Sequence, residues 1–508
     1  MVQLTNDQVL AAAAPGRLIN IISAPGSGKT TIAAERYGYL RHQAGDLRGV
    51  LGLTFNRAAA AELRHRIDSR WGTNCIRPAH CVVTFDQLHV DILTHLLNEG
   101  QLTWPEGITN LDVRDDYRGL TGFRFLKDSD CKRLASLDNN RLVVSCGQKV
   151  EQPCMGISGI RHHQTILNSG IVSHEDVRSI LRTAMQMVEL RQAAADWLFA
   201  NYRATIIDEV YDADDLDLYA VYLAAETGLS VTLIGDPWQT LYKWRGAKPE
   251  GVKVLLDSTS DKFVAYEQPE SFRFVGDQMP RLAANLRAGT GADLPPVSSS
   301  EVDVALGRNW AQLWTVGDNV LPLAFRTVNN ATDAAMNLLL DVVTRARLGT
   351  AAYGREGAIM KLRLDRGNFQ AEQDQALMPI IKSLLAGKDE SQVLDDLRET
   401  IKRLGAHKPI RLSEKKETDV RLQLTRLAAR LRQATVIPGL TVFQAKGREW
   451  ERVGVILSRN QIDALKSGLR ELEEEHCIIY VAITRAKRFC GRLSSISELE
   501  VDQPQFDM

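Results

Sequence analysis

An α/β architecture with parallel sheets, spread over more than one domain, is what this sequence predicts. Three segments carry that expectation. Near the start an apolar run, Leu18 to Ile22, leads into a glycine-rich loop and then a helix. Far downstream, Ala204 to Ile207 ends in the adjacent carboxylates of Asp208 and Glu209, and Val231 to Ile234 ends in Gly235-Asp236-Pro237-Trp238-Gln239. Buried strands that each release a polar segment at the carboxyl end converge on one crevice in an open α/β sheet. At 508 residues the chain is also too long for a single core.

The loop Ser23-Ala24-Pro25-Gly26-Ser27-Gly28-Lys29-Thr30, followed by a helix from Thr31 to Leu40, has the context a P-loop requires. Its glycines let backbone N–H groups between Ala24 and Thr31 turn inward around phosphate oxygens, and the helix amino end adds positive dipole. Lys29 is placed to reach β- and γ-phosphates, and the Thr30 hydroxyl to ligate Mg²⁺. Ser23 stands where the usual pattern begins with glycine, a small-for-small change. Asp208 is expected to hold Mg²⁺ through water and Glu209 to take a proton from an attacking water. Gln239 is expected to orient that water or to sense the γ-phosphate.

Composition narrows the class. Apolar content of 44% and charged content of 25% are ordinary for soluble globular protein. Asn6 and Asp7 interrupt any leader-like run, and the apolar stretches are too short to span a bilayer, so the expectation is a cytoplasmic protein. The seven cysteines form no C-x-x-C pair. Cys131, Cys146, Cys154 and the His162–His163 pair are the set that folding could gather around a metal. Their irregular spacing favours plain thiols, and an odd count without an export signal fits reduced ones. The net charge of −1 gives no global pull toward nucleic acid, although a groove needs only local positive charge. One local bias exists: Thr400 to Arg432 holds ten Lys and Arg against three Asp and Glu, with Val420, Leu424, Leu427 and Leu431 marking an amphipathic helix. A solvated face and a phosphate-tracking surface are both open there.

Further segments, in order, carry a resemblance. Leu4-Thr5-Asn6-Asp7-Gln8, Leu53 to Leu63, Val82-Val83-Thr84-Phe85 and Asp236 to Ala247 precede Glu270-Ser271-Phe272-Arg273, Thr441 to Glu449 and Tyr480 to Lys487. With the P-loop and acidic pair, this series resembles the motifs of UvrD/Rep-type superfamily 1 helicases across almost the whole chain. The resemblance implies two RecA-like P-loop domains that sandwich ATP, each interrupted by a mostly helical insertion. It implies that Gln8 reads adenine, Phe272 stacks on it, and Glu449 contacts ribose. Arg273 and Arg485 match arginine fingers, which neutralise charge developing on the γ-phosphoryl group. Phe55, Asn56, Arg57, Thr84, Phe85, Tyr242, Trp244, Arg245 and Lys446 fall in segments that contact single-stranded DNA. Of these, Phe55, Tyr242 and Trp244 match base-stacking positions, and stacking suits a motor because every base has a π-face. Trp244 between Lys243 and Arg245 is hard to read as core. The chain also departs from the pattern: Tyr211 replaces a usual Gln, Asp86 and Phe443 each replace a His, and His476 and Cys477 replace basic residues. By the resemblance, these departures fall at positions that couple ATP state to DNA contact, whereas the groups of the ATP chemistry are all present.

The implied domain order is a first RecA-like domain at 1–95 and 200–275 with its insertion at 96–199. The second lies at 276–330 and 433–508, with a reduced insertion at 331–432. With the chain ending soon after the last motif, the expectation is that no C-terminal nuclease domain follows. The expected activity is an ATP-dependent 3′-to-5′ DNA helicase or translocase, polarity resting on resemblance alone. The alternative is an ATP-hydrolysing sensor or regulatory subunit beside a nuclease, because compact UvrD-like proteins of this size resemble helicase subunits of antiphage systems such as Gabija.

Overall fold

The computed structural model describes residues 4–43, 46–114, 127–128, 131–138, 141–149, 165–364, 369–404 and 412–493. Contacts divide the chain into two units, Met1–Phe272 and Arg273–Met508, a division at 272/273 against the expected 275/276.

The first unit starts with β1 (Leu18–Ser23), β2 (Gly49–Thr54) and β3 (Cys81–Thr84). Between β3 and the next strand of that sheet lie β4 (Asp112–Val113), β5 (Lys127–Asp128), β6 (Cys131–Asp138), β7 (Arg141–Lys149) and β8 (Ile171–Val172). The chain then returns as β9 (Tyr202–Asp208), β10 (Ser230–Gly235) and β11 (Val264–Gln268). The main sheet is parallel throughout, in the order β11-β1-β10-β9-β2-β3. Both faces are covered, one by Ile32, Ala33, Tyr37, Leu63 and Ile67, the other by Leu88, Leu93, Leu96 and Leu223. That is why the strands read as continuous apolar runs rather than alternating ones.

The intervening segment departs from the mostly helical expectation. It contains the helices His174–Ala184 and Val188–Asn201, but also a three-stranded antiparallel sheet, β5-β6-β7, and a β4-β8 pair. Asn139-Asn140, between β6 and β7, is a residue pair of the kind that turns favour, but neither flanking segment alternates cleanly. Cys131 and Cys146 fall on β6 and β7, while Cys154, His162 and His163 lie outside the described residues. Among the described residues no cluster could hold a metal through three or more His, Cys, Asp or Glu ligands.

The second unit holds β12 (Pro296–Val297), β13 (Val304–Gly307), β14 (Val320–Pro322), β15 (Ile437–Thr441), β16 (Trp450–Val455) and β17 (Ala486–Leu493). They form a parallel sheet in the order β12-β17-β16-β13-β15-β14. Between β14 and β15 the described chain is helical: Ala331–Leu348, Arg355–Leu362, Phe369–Leu385, Glu390–Arg403 and Glu414–Leu431. These helices bury a core around Leu338, Leu377, Leu397 and Leu424 that also takes in Trp314, Leu321 and Phe325. Among the described residues no helix is long and apolar enough to cross a membrane.

The basic segment resolves in part. Val420, Leu424 and Leu427 are buried and Leu431 half-buried, as the amphipathic pattern requires. Lys415 and Lys416 are exposed, but Arg430 is sequestered in the core. Its Nε donates to the Val320 carbonyl at 2.6 Å, Nη2 to those of Trp314 and Val316 at 3.3 Å, and its guanidinium lies 4.6 Å from the Trp314 ring centroid. Burial pushes its pKa down to about 10. Arg430→Ala would strip donors from buried carbonyls and should cost about 3 kcal/mol. Lys415→Ala and Lys416→Ala should stay within about 0.5 kcal/mol. Urea denaturation distinguishes the two cases, and equal midpoints for all three variants would refute the structural role of Arg430.

Candidate functional site

The site of the first unit assembles at the carboxyl ends of β1, β10 and β9. Their register is level: Ile22 pairs with Gly235, and Ile234 with Asp208. The loop after β1, the turn after β10 and the acidic pair after β9 therefore emerge side by side.

The loop is held from several directions. The Ala24 N–H donates to the Gln268 carbonyl at 2.9 Å, and the Ser27 hydroxyl to the Ala24 carbonyl at 2.8 Å. Ser271 Oγ donates to the Pro25 carbonyl at 2.5 Å, and the Phe272 N–H to that of Gly26 at 3.0 Å. Gly26 and Gly28 have φ of 77° and 86°, which glycine alone adopts readily. A Cβ on Gly28 would also stand 2.9 Å from Gln8 Nε2. Gln8 is buried; its Nε2 donates to the Ser27 carbonyl at 2.9 Å and its Oε1 accepts from the Thr5 N–H at 3.1 Å. It thereby ties the first helix to the loop. Lys29 and Thr30 open the helix Lys29–Gln43, and Thr31 Oγ1 accepts from Arg66 at 2.8 Å.

Thr30 Oγ1 donates to Asp208 Oδ2 at 3.1 Å, and Lys29 Nζ stands 3.8 Å from Glu209 Oε1. Asp208 is buried, and its Oδ1 has no hydrogen-bond partner among the described residues. Burial, then the charge of Glu209, pushes its pKa up to about 6 against the opposing pull of Lys29 and Thr30. A buried carboxylate with an unsatisfied oxygen beside a threonine hydroxyl fits a hard divalent cation whose remaining ligands are water and phosphate. Glu209 takes a left-handed backbone, φ 61° and ψ 42°, a conformation that costs a non-glycine residue on the order of 1 kcal/mol and is held by its surroundings. Gln239 is buried, and its Nε2 donates to Asp236 Oδ2 at 2.7 Å. Tyr211, the replacement in the acidic motif, lays its ring over Gly235, 2.7 Å from where a Cβ there would be.

The expected DNA contacts divide by burial. Trp244 is 58% exposed, with the Arg245 guanidinium 4.7 Å from its ring centroid and 5.6 Å from that of Tyr242. Arg57 is exposed. Asn56 and Thr84 cap helices, Asn56 Oδ1 accepting from Ala59 N–H at 2.8 Å and Thr84 Oγ1 from Gln87 N–H at 3.2 Å. Phe55 is half-buried, 5.0 Å centroid to centroid from Phe85. Phe85 corrects the expectation for its side chain: it is 1% exposed and belongs to the core with Leu88 and Ile92. The first residue of a helix leaving β3 points down the same face as those residues, so it supports Phe55 from beneath.

In the second unit, Arg273 Nε donates to Glu449 Oε2 at 3.0 Å and Nη1 to the Thr484 carbonyl at 2.7 Å. Lys487 Nζ reaches Glu449 Oε1 at 3.0 Å. Burial would raise the Glu449 pKa, but hydrogen bonds from Lys487 and Arg273 hold it below the usual carboxylate range. Lys487 is thus a partner that the motif pattern did not single out. Arg485 is fully buried with Nε on the Val481 carbonyl at 3.1 Å. Lys446 is half-buried at the end of the short helix Val442–Ala445. Phe272, the last residue of the first unit, is 50% exposed. A cavity of about 390 Å³ in the second unit is bordered by Arg345, Tyr353, Arg355 and Arg448. Arg345 and Arg355 both pair with the buried Asp341 at 2.9 and 3.0 Å, which neutralises much of its basic lining.

A parallel sheet that presents a phosphate loop, an acidic pair and a polar turn at level carboxyl ends defines a P-loop protein. The UvrD/REP helicase N-terminal domain model matches residues 4–259, and the UvrD-like helicase C-terminal domain model matches residues 360–489. The chain belongs to the UvrD/Rep helicase family. It is 23% identical to DNA helicase II of Escherichia coli (strain K12) over 99% of this chain and 65% of that protein. To DNA helicase II of Salmonella typhimurium (strain LT2) it is 25% identical over 65% of this chain and 45% of the relative. It is 30% identical to the Gabija protein GajB of Bacillus cereus (strain VD045) over 23% of each. The chain thus spans 45% to 65% of the length of these two helicase II relatives.

The Asp208 environment carries a signed pH prediction. Because its folded pKa of about 6 lies above the unfolded value, ionising Asp208 destabilises the fold, fully above about pH 6 and not at all below about pH 4. In EDTA, Asp208→Asn should raise the melting temperature at pH 8, with the gain vanishing toward pH 4. Identical melting curves at pH 8 would contradict this.

Proposed function

We propose that the chain is an ATP-dependent motor on single-stranded DNA, a helicase or translocase of 3′-to-5′ polarity. The observation that carries the reading is the presence, in one unit, of the Lys29–Thr30–Asp208–Glu209 constellation and of the exposed Trp244 and Arg245 beside a half-buried Tyr242. The polarity rests on family resemblance. In this reading the loop amides and Lys29 hold the phosphates, and Thr30 with Asp208 holds Mg²⁺. When bound, Mg²⁺ supplies charge that polarises the transferring phosphoryl group. Glu209 takes the proton of the attacking water, and Gln239, oriented by Asp236, positions that water. Gln8 and Phe272 serve the adenine, and Glu449 the ribose. Arg273 and Arg485 neutralise developing charge, a role worth on the order of 10³–10⁵ in rate. Phe55, Tyr242 and Trp244 grip bases, while Asn56, Arg57, Thr84, Arg245 and Lys446 serve the backbone. Phe85 acts only through Phe55. Such a motor works in the cytoplasm, where DNA and ATP meet.

A second reading, an ATP-hydrolysing subunit that acts beside a nuclease in phage defence, is favoured by the match to GajB and by the replacements at Asp86, Tyr211 and Phe443. Strand displacement by the chain alone supports the autonomous motor; displacement only with a partner supports the subunit.

The deciding measurement is steady-state ATPase with and without single-stranded DNA. Lys29→Ala should lower the rate about 10²-fold or more, and an unaffected rate would remove the P-loop assignment. Glu209→Gln should bind ATP yet fail to turn it over; normal turnover would exclude Glu209 as the base. Trp244→Ala should weaken DNA affinity about 5- to 150-fold, the equivalent of one lost base stack. Unchanged binding would exclude Trp244 as a platform.

A further inference from the structure

Arg178 lies on the helix His174–Ala184, in the segment between β3 and β9, and its side chain is 19% exposed. Its guanidinium reaches two other elements at once. On one side, Nε and Nη2 donate to Asp86 Oδ1 at 3.0 and 2.9 Å. On the other, Nη1 donates to Asp214 Oδ2 at 2.7 Å and Asp217 Oδ1 at 3.2 Å. Arg182, one turn on, also reaches Asp214 at 2.8 Å and Asp215 at 3.0 Å.

Those carboxylates sit at informative places. Asp86 is the second residue of the helix Phe85–Asn98, directly after Thr84 and the Phe85 that supports Phe55. Asp214 caps the helix Asp215–Glu226 through a reciprocal capping box with Asp217, and a single turn, Val210–Asp212, separates it from Glu209. In the sheet, β3 and β9 flank β2, so the segments that follow them lie on either side of the end of β2, where Phe55 emerges. A forked guanidinium spans such a gap as two fixed contacts, which a point-charge ammonium does not.

The charges make the bridge necessary. Four carboxylates, Asp86, Asp214, Asp215 and Asp217, face two arginines. His89, one turn along from Asp86, does not serve as a third cation. It is fully buried, neither ring nitrogen has a hydrogen-bond partner among the described residues, and Nε2 stands 3.5 Å from Asp217 Oδ1. Burial, then the nearby Arg178 and Arg182, keeps its pKa well below the ordinary value. Burial, and after it the charge of Asp214, pushes the Asp217 pKa up to about 7 against the pull of Arg178. Without Arg178 nothing of opposite charge among the described residues would oppose that burial from this side, and Asp86 would lose its hold on both.

We propose that Arg178 is a positioning residue that couples nucleic-acid contact at the Phe55–Thr84 edge to the Asp208–Glu209 pair, through Asp86 on one side and Asp214 and Asp217 on the other. This rests on the DNA-motor reading above. A strand seated against Phe55 and Thr84 presses on the start of the helix Phe85–Asn98. The fork carries that displacement to the start of the helix Asp215–Glu226 and so to the turn after Glu209, whose left-handed backbone has little freedom to absorb it. Asp86, which departs from the histidine usual in the family, is the member of this link that pairs with Arg178.

The test compares ATPase rates of the full chain with and without a poly-dT oligonucleotide for wild type, Arg178→Ala, Arg178→Lys and Asp86→Asn. Arg178→Lys keeps the charge and tests the fork if the alanine variant fails to fold. The expected result is a basal rate within about twofold of wild type, an unchanged half-saturating DNA concentration, and a DNA-stimulated kcat lower by about 3- to 30-fold. Full stimulation in Arg178→Lys, or basal and stimulated rates falling together, would overturn the proposal while leaving the motor reading in place. A wild-type rate indifferent to DNA would remove both.

Discussion

The level register of three parallel strands governs the chemistry of this protein. Because Ile22 pairs with Gly235 and Ile234 with Asp208, the phosphate loop, the polar turn and the acidic pair leave the sheet together. A slip of one residue would turn the inward side chains to the opposite face and move Asp208 off the Thr30 hydroxyl. The apolar faces on both sides of the sheet oppose any such slip, so core packing and site geometry are one constraint.

The remaining contacts refine that frame. Gln8, Gln268 and Ser271 come from distant parts of the chain, and all tie to the loop or its flank by hydrogen bonds of 2.5–3.0 Å. Rigidity of this kind places backbone donors before a ligand arrives, which is how phosphate binding is preorganised. Asp208 shows the opposite tendency. Its burial is unfavourable in the free protein, and a cation that satisfies its open oxygen relieves that cost.

Much of this was legible in the residues. The P-loop, the acidic pair and the turn after β10 are local patterns, in which spacing along the chain already sets which atoms share a strand end. Of the helices described between β14 and β15, Glu414–Leu431 is legible in its amphipathic periodicity, while the helical character of the rest is what the family resemblance implies. The sheet β5-β6-β7 is not legible in the sequence because its strands lack a clean period of two, with Lys132-Arg133 and Leu142-Val143-Val144 interrupting any alternation. Phe85 was read as a contact because motif position says nothing about which way a side chain points. Arg430 was read among surface basics because charge in a sequence carries no burial.

The sequence by itself determined the chemical groups and the order in which the chain presents them: phosphate loop, acidic pair, arginines and aromatics. These depend on residue type and short spacing, and local backbone geometry suffices to express them. Only the tertiary structure decided the pairings between residues far apart in the chain: Arg273 with Glu449, Gln8 with Ser27, Arg430 beneath Trp314, and Arg178 between Asp86 and Asp214. Each needs a charged or polar group to be desolvated beside one particular partner, and that choice is made by the packing of whole elements, which no short stretch of sequence contains.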